Sequence, residues 1–176
     1  LLEGPLIAMA PAPDASLRSE ARVLFGFAGW SWLDLVGPVA VLALEPFTEW
    51  LIHVLVLHHR PRTVAGVRID PLVARKHRAH HEDPRDRELV LVPLPVLVVG
   101  LPVAALAVVL LADPVGPGLS GLVAGYAMLL AYEWTHHLIH STYHPRHRWY
   151  RRRWRAHRLH HFRNEHHWFG VTMTFG

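Results

Sequence analysis

The sequence predicts an all-α integral membrane protein, with about four transmembrane helices and a histidine-rich helical cap on the cytoplasmic side. Three observations lead there. Apolar stretches, among them 24 charge-free residues at 89–112, reach the length of about 20 residues that a helix needs to cross a bilayer. Arginine and lysine gather in the segments that flank those stretches, as they do on the cytoplasmic face of membrane proteins. Sixteen histidines and no cysteine occur in 176 residues, and the histidines recur at helical spacing.

Taken in order, residues 1–22 (LLEGPLIAMAPAPDASLRSEAR) are rich in Pro and Ala and read as a poorly ordered or interfacial tail. They lack the basic start and long apolar run of a secretory signal. One membrane domain is expected over 23–176. Its first two crossings form a hairpin, about 23–37 and 39–58, with Gly37-Pro38 as the bend and Asp34 the one charge in the first arm. Residues 89–111 and 119–140 form a second hairpin around the turn DPVGPG (113–118). Pro93, Pro95 and Pro102 make the first half of its leading arm irregular, which membrane helices tolerate.

With four crossings, 59–88 and 141–176 lie on the side of the N-terminus. Arg60, Arg62, Arg68, Arg75, Lys76, Arg78 and the seven arginines of RHRWYRRRWRAHR (146–158) then share that side, as the positive-inside rule requires. The basic surplus, 18 Lys+Arg against 14 Asp+Glu, is therefore local. Arginine interleaved with Trp149, Tyr150 and Trp154 would also suit nucleic acid. The apolar flanks decide for a membrane border, and nucleic acid is not expected as a partner.

The histidines fall in four bunches: His53/His58/His59, His77/His80/His81, His136/His137/His140/His144 and His157/His160/His161, with His147, His166 and His167 outside them. On a helix, HRAHH (77–81) and HRLHH (157–161) each present three imidazoles on one side of about one turn, and HHLIH (136–140) presents His136 and His140. Core filling or loose metal affinity would explain a single pair, but a repeated motif points to ligation. One metal takes about three or four such ligands, so this supply implies two metals. The absence of cysteine excludes disulfide scaffolds, iron–sulfur clusters and thiolate zinc sites.

All four bunches land at the ends of the second and fourth crossings or in the segments that follow them, which places one dimetal site at the cytoplasmic membrane face. Soluble di-iron proteins use Glu and Glu-x-x-His ligands, and that carboxylate pattern is absent here. Neutral imidazoles leave the metal charge uncompensated and the pair more electrophilic. Oxygen activation uses such a supply of ligands, whereas zinc hydrolysis needs three or four. The position suggests an acyl chain reaching the metals laterally, through an apolar tunnel beneath the histidines.

EWLIHVLVLH (49–58), ARKHRAHHEDP (74–84), YEWTHHLIH (132–140) and RAHRLHHFRNEHHWFGVT (155–172) together resemble the membrane fatty acid hydroxylase/sterol desaturase superfamily, and within it the fatty acid 2-hydroxylases. The resemblance implies His53, His58, His77, His80, His81, His136, His140, His157, His160 and His161 as metal ligands. It implies two iron ions, which zinc could replace in a purified sample, and insertion of one oxygen atom of O2 into a C–H bond of a lipid acyl substrate. The eukaryotic 2-hydroxylases carry a fused cytochrome b5 domain. This sequence has no room for one, so a separate electron donor of cytochrome b5-like or ferredoxin type is expected. His59, His137, His144, His147, His166 and His167 fall outside the pattern, and Glu49, Tyr132 and Glu133 sit beside ligand motifs. The same motifs would serve a desaturase, a sterol oxidase or a carotenoid hydroxylase, and a non-enzymatic membrane protein that handles metals is the other class.

Overall fold

A computed structural model describes residues 31–113 and 115–174. Its architecture is all-α apart from one small hairpin. A first helical rod begins with a 3-10 turn at Trp32–Leu35, continues as α1 (Val36–Ile52) and closes with a π turn at His53–Leu57. The strands β1 (Arg62–Val64) and β2 (Val67–Ile69) follow, then α2 (Leu72–Glu82), the short α3 (Arg87–Val90), α4 (Leu94–Leu111), α5 (Val115–His140) and α6 (Arg148–Phe162).

Among the described residues, three helical stretches are long and apolar enough to cross a membrane: Trp32–Leu57, Arg87–Leu111 and Val115–His140. Side chains such as Leu110 and Leu111 are 69% and 83% exposed, and α4 buries none of its side chains. Helices apolar on every face belong in lipid rather than water. The chain is a membrane protein on this ground.

The expected bend at Gly37-Pro38 is not there. Asp34 accepts the Ser31 N–H at 2.8 Å and so closes the start of the rod, while Pro38 occupies the first turn of α1, where its missing N–H leaves no intrahelical bond unmade. Gly37 serves a different purpose. A Cβ there would overlap the Pro117 carbonyl oxygen and sit 2.8 Å from the Gly121 Cα. Two glycines thus let the backbones of α1 and α5 touch, a close crossing of the kind membrane helices favour. The tail at 1–22 and most of the first predicted crossing lie outside the described residues, and the remainder of that crossing continues without a break into the second.

The helix α5 packs between α1 and α4. The Tyr126 hydroxyl donates to the Leu101 carbonyl at 2.5 Å and pins α5 to α4. Pro93 stands at the N-cap of α4 and Pro95 in its first turn, so the predicted irregularity reduces to a break at Leu91–Pro93, while Pro102 lies within a continuous helix. The β-hairpin, absent from the sequence-based expectation, turns at Ala65 and Gly66, both with positive φ (49° and 79°), as its two-residue turn requires. Asp70 after β2 accepts from Arg78 of α2 at 2.6 Å, and the same guanidinium reaches the His59 carbonyl at 2.7 Å. The Arg78 hydrogen bond holds the Asp70 carboxyl below the usual carboxylate range.

Candidate metal centre

Ten imidazoles from four helices meet where the first and third spans end. They divide into two groups of five, and within each group one ring nitrogen per histidine lies within 4.8 Å of all the others. One group is His53, His58, His77, His81 and His160; the other is His80, His136, His140, His157 and His161. These are the ten residues that the sequence motifs single out.

Local geometry explains the assignment within each helix. His77 and His81, His136 and His140, and His157 and His161 are each four residues apart and point the same way. His53 and His58 are five apart, which an α-helix would splay. The π turn corrects this, with the His58 N–H bonded to the His53 carbonyl at 3.0 Å and the two rings stacked 5.1 Å apart. The middle histidine of each HxxHH motif then crosses over: His160 of α6 joins the group built by α1 and α2, and His80 of α2 joins the group built by α5 and α6.

The residues fit metal ions on three counts. Nε2 atoms of neighbouring histidines lie 3.2 Å apart for His58–His160, His81–His77, His80–His136, His80–His140 and His157–His140, and 3.0 Å apart for His161–His157. A metal about 2.1 Å from each nitrogen places adjacent ligands about 3.0 Å apart at a right angle and about 3.4 Å apart at the tetrahedral angle. His53, a residue 1% exposed, has its Nε2 without any hydrogen-bond partner. Finally, burial keeps the imidazoles neutral, the form that ligates. It pushes His80 and His160 down to about 4 and His81 to about 3, and the crowding of His160 and His58 adds to the effect at His81. His77, His157 and His161 are likewise held below the ordinary histidine range by burial first and neighbouring rings second.

The segment after α6 covers the first group. Trp168 takes a left-handed backbone conformation (φ 57°), and on either side of it His167 and Phe169 face the histidines. The His167 carbonyl accepts from His160 Nδ1 at 2.8 Å, which fixes the tautomer that leaves Nε2 free. The Phe169 ring lies 5.4, 5.7 and 5.3 Å from the rings of His53, His58 and His160. Glu165 stands 3.8 Å from His81 Nδ1.

The other flagged groups have different partners. Glu49 accepts the Thr172 N–H at 3.1 Å as well as the Val171 N–H, and Glu133 accepts the Val92 N–H at 2.9 Å, so neither bonds a ligand imidazole. Tyr132 lies against His136 with ring centroids 5.7 Å apart. His144, His147 and His166 are exposed and outside both groups. Sequence reasoning passed over Phe169, Glu45 and the His167 carbonyl. A backbone acceptor carries no residue signature, and only the nearness of HWFG to the last motif hinted at the rest.

Cavities reach the histidines from two sides. One of about 470 Å³ is lined by His58, His81 and His161 with Arg78, Arg163 and Glu165, and another of about 470 Å³ by His140 with Arg85, Arg87 and Arg158. On the membrane side, an apolar crevice between Leu57, Val90, Val92 and Tyr132 meets His77 and His136, yet holds only about 20 Å³. This crevice does not form the expected acyl tunnel, because that volume admits roughly one water.

A family model described as fatty acid hydroxylase matches residues 38–176, which covers all ten converging histidines and all but the first six residues of the first span. Neither a curated protein nor a solved structure matches the chain.

Proposed function

The chain belongs to the fatty acid hydroxylase family, and from that premise we propose that it is a di-iron, O2-dependent monooxygenase hydroxylating a C–H bond of a fatty acyl chain or related lipid. The observation that carries this reading is the pair of interlocked five-histidine groups at the membrane-border ends of two spans. Five nitrogens per group exceed the four-coordinate sets typical of zinc, which favours iron. When bound, the two irons supply the redox chemistry by which R–H, O2, two electrons and two protons become R–OH and water.

The protein's own residues do the rest. The two HxxHH motifs tie both groups to α2 and α6, so neither group moves without the other. His167 orients His160, and Phe169 covers His53, His58 and His160 on one side. The crevice at Leu57, Val90 and Val92 is the proposed path of the acyl chain from the bilayer, opening when the α3–α4 connection moves. The arginines of 146–158 lie on the histidine side of the membrane. Their number supports a cytoplasmic site, contact with anionic head groups and docking of a separate, acidic electron donor.

The test is purification with elemental analysis, followed by reaction with isotope-labelled O2 and a reductant, and mass spectrometry of host lipids with and without the gene. The reading expects iron in the protein and one labelled oxygen in an acyl product. Firmly bound metal without any oxidised lipid would favour a metal-handling role.

A further inference from the structure

The segment that covers the first histidine group is held by a cluster for which the proposed reaction has no use. Glu45 and Glu49, one turn apart on α1, are 7% and 8% exposed, and Thr172 is 7% exposed. The Thr172 hydroxyl lies 2.5 Å from Glu45 Oε1 and also within bonding distance of Glu49 Oε2. Glu49 Oε1 takes two backbone N–H groups, from Val171 and Thr172. Arg153 of α6, 3% exposed, donates to the Thr172 carbonyl rather than to either acid and lies over the Trp149 ring.

Two independent counts require one extra proton here. A hydroxyl has a single hydrogen and cannot donate to two carboxylates at once, so one of the acids must donate to Thr172 Oγ1. Two buried carboxylates also leave one guanidinium in charge deficit, and a second uncompensated charge is expensive to bury. Glu49 Oε1 takes two backbone N–H groups, whereas Glu45 Oε2 has no partner at all.

We propose that Glu45 and Glu49 hold one shared proton and, through Thr172, latch the 167–174 segment onto α1, so that both are positioning residues for Phe169 and for the first histidine group. The latch explains how a segment without regular structure keeps His53 sealed from water. It also sets an order of construction: the first span and the segment after the last motif must meet before the first group is complete. The link to metal rests on the two-metal reading, whereas the latch itself does not.

The experiment uses the full chain in detergent or nanodiscs, first without metal. Infrared spectroscopy should show the carbonyl stretch of a protonated carboxyl group. The band should vanish in Glu45→Gln, whose amide N–H replaces the missing donor to Thr172, while the amides of Val171 and Thr172 keep their slow hydrogen exchange. In Glu49→Ala those amides should exchange about tenfold faster or more, the order expected when bonds to a charged acceptor are lost. Thr172→Val, which keeps both backbone N–H groups, should perturb the band without removing helix content, and serves if Glu49→Ala fails to insert. Absence of the band in the unaltered protein, its persistence in Glu45→Gln, or unchanged exchange in Glu49→Ala would overturn the latch. With iron added, Glu49→Ala should lose about one of two ions and Glu45→Gln should keep both. An unaltered protein that binds no iron would instead count against the proposed function and leave the infrared and exchange results standing.

Discussion

His81 and His161 stack with their ring centroids 4.1 Å apart and their planes 20° from parallel, although their clustered nitrogens belong to different five-histidine groups. They are the last histidines of the two HxxHH motifs. Their contact joins α2 to α6 and sets the two groups side by side, with His80 and His160 each reaching across the seam.

That crossing predicts site-selective loss. His80→Ala should lower the metal content of the second group by about one ion per chain, and His160→Ala that of the first, while membrane insertion is unchanged because it depends on the spans. Oxidation should fall to background in both. His147→Ala, exposed at the start of α6, should behave as the unaltered protein. Elemental analysis beside product formation checks this, and full activity in His160→Ala would refute the ligand assignment.

The pH dependence follows from the buried imidazoles. His80, His160 and His81 have folded values near 4, 4 and 3, against an ordinary 6.5. A depressed folded value means that the unfolded chain takes up protons first as pH falls. Stability from these groups is therefore complete above about 6.5 and is lost progressively from there toward about 4 to 3. Metal retention should fail in the same window, since protons and metal compete for the same lone pairs. Thermal unfolding and chelator release measured from pH 8 to pH 4 test it. A flat profile would show that the rings are not buried and neutral.

The contact of Gly37 with Gly121 predicts a steric effect far from the histidines. Gly37→Ala would place a Cβ against the Pro117 carbonyl and push α1 from α5, at a cost of about 1–3 kcal/mol. Because α1 leads into the π turn that carries His53 and α5 carries His136, activity should drop with stability. Gly125→Ala meets nothing within 4 Å and is the control. Melting temperature in detergent reads both, and equal behaviour of the two variants would sink the close-crossing account.

The narrow crevice predicts how access is limited. Val92→Trp would fill the space between Leu57 and Tyr132 and lower kcat/KM for acyl substrates by about tenfold, with bound metal unchanged. If kcat/KM for long chains is unaffected, substrate reaches the histidines through the cavities lined by His140 or His58 instead.

Much of this site could be read from the linear chain, for a local reason. Spacings of three and four residues put histidines on one face of a helix wherever that helix lies, so HRAHH, HRLHH and HHLIH announced the faces that converge. Apolar length announced the second and third spans, whereas the two arms expected before residue 58 are one continuous rod over the described residues. Other features depend on how distant segments meet. The spacing of five between His53 and His58 becomes useful only through a π turn. Gly37-Pro38 has the composition of a bend, yet packing against Gly121 makes it a helix crossing. Which five-histidine group each histidine joins is set by the relative placement of four helices, and helical periodicity carries no information about that. The same is true of the His167 carbonyl, of Phe169 and of the Glu45–Thr172–Glu49 latch. Their partners lie between 7 and 127 residues away in sequence, and only the folded chain brings them together.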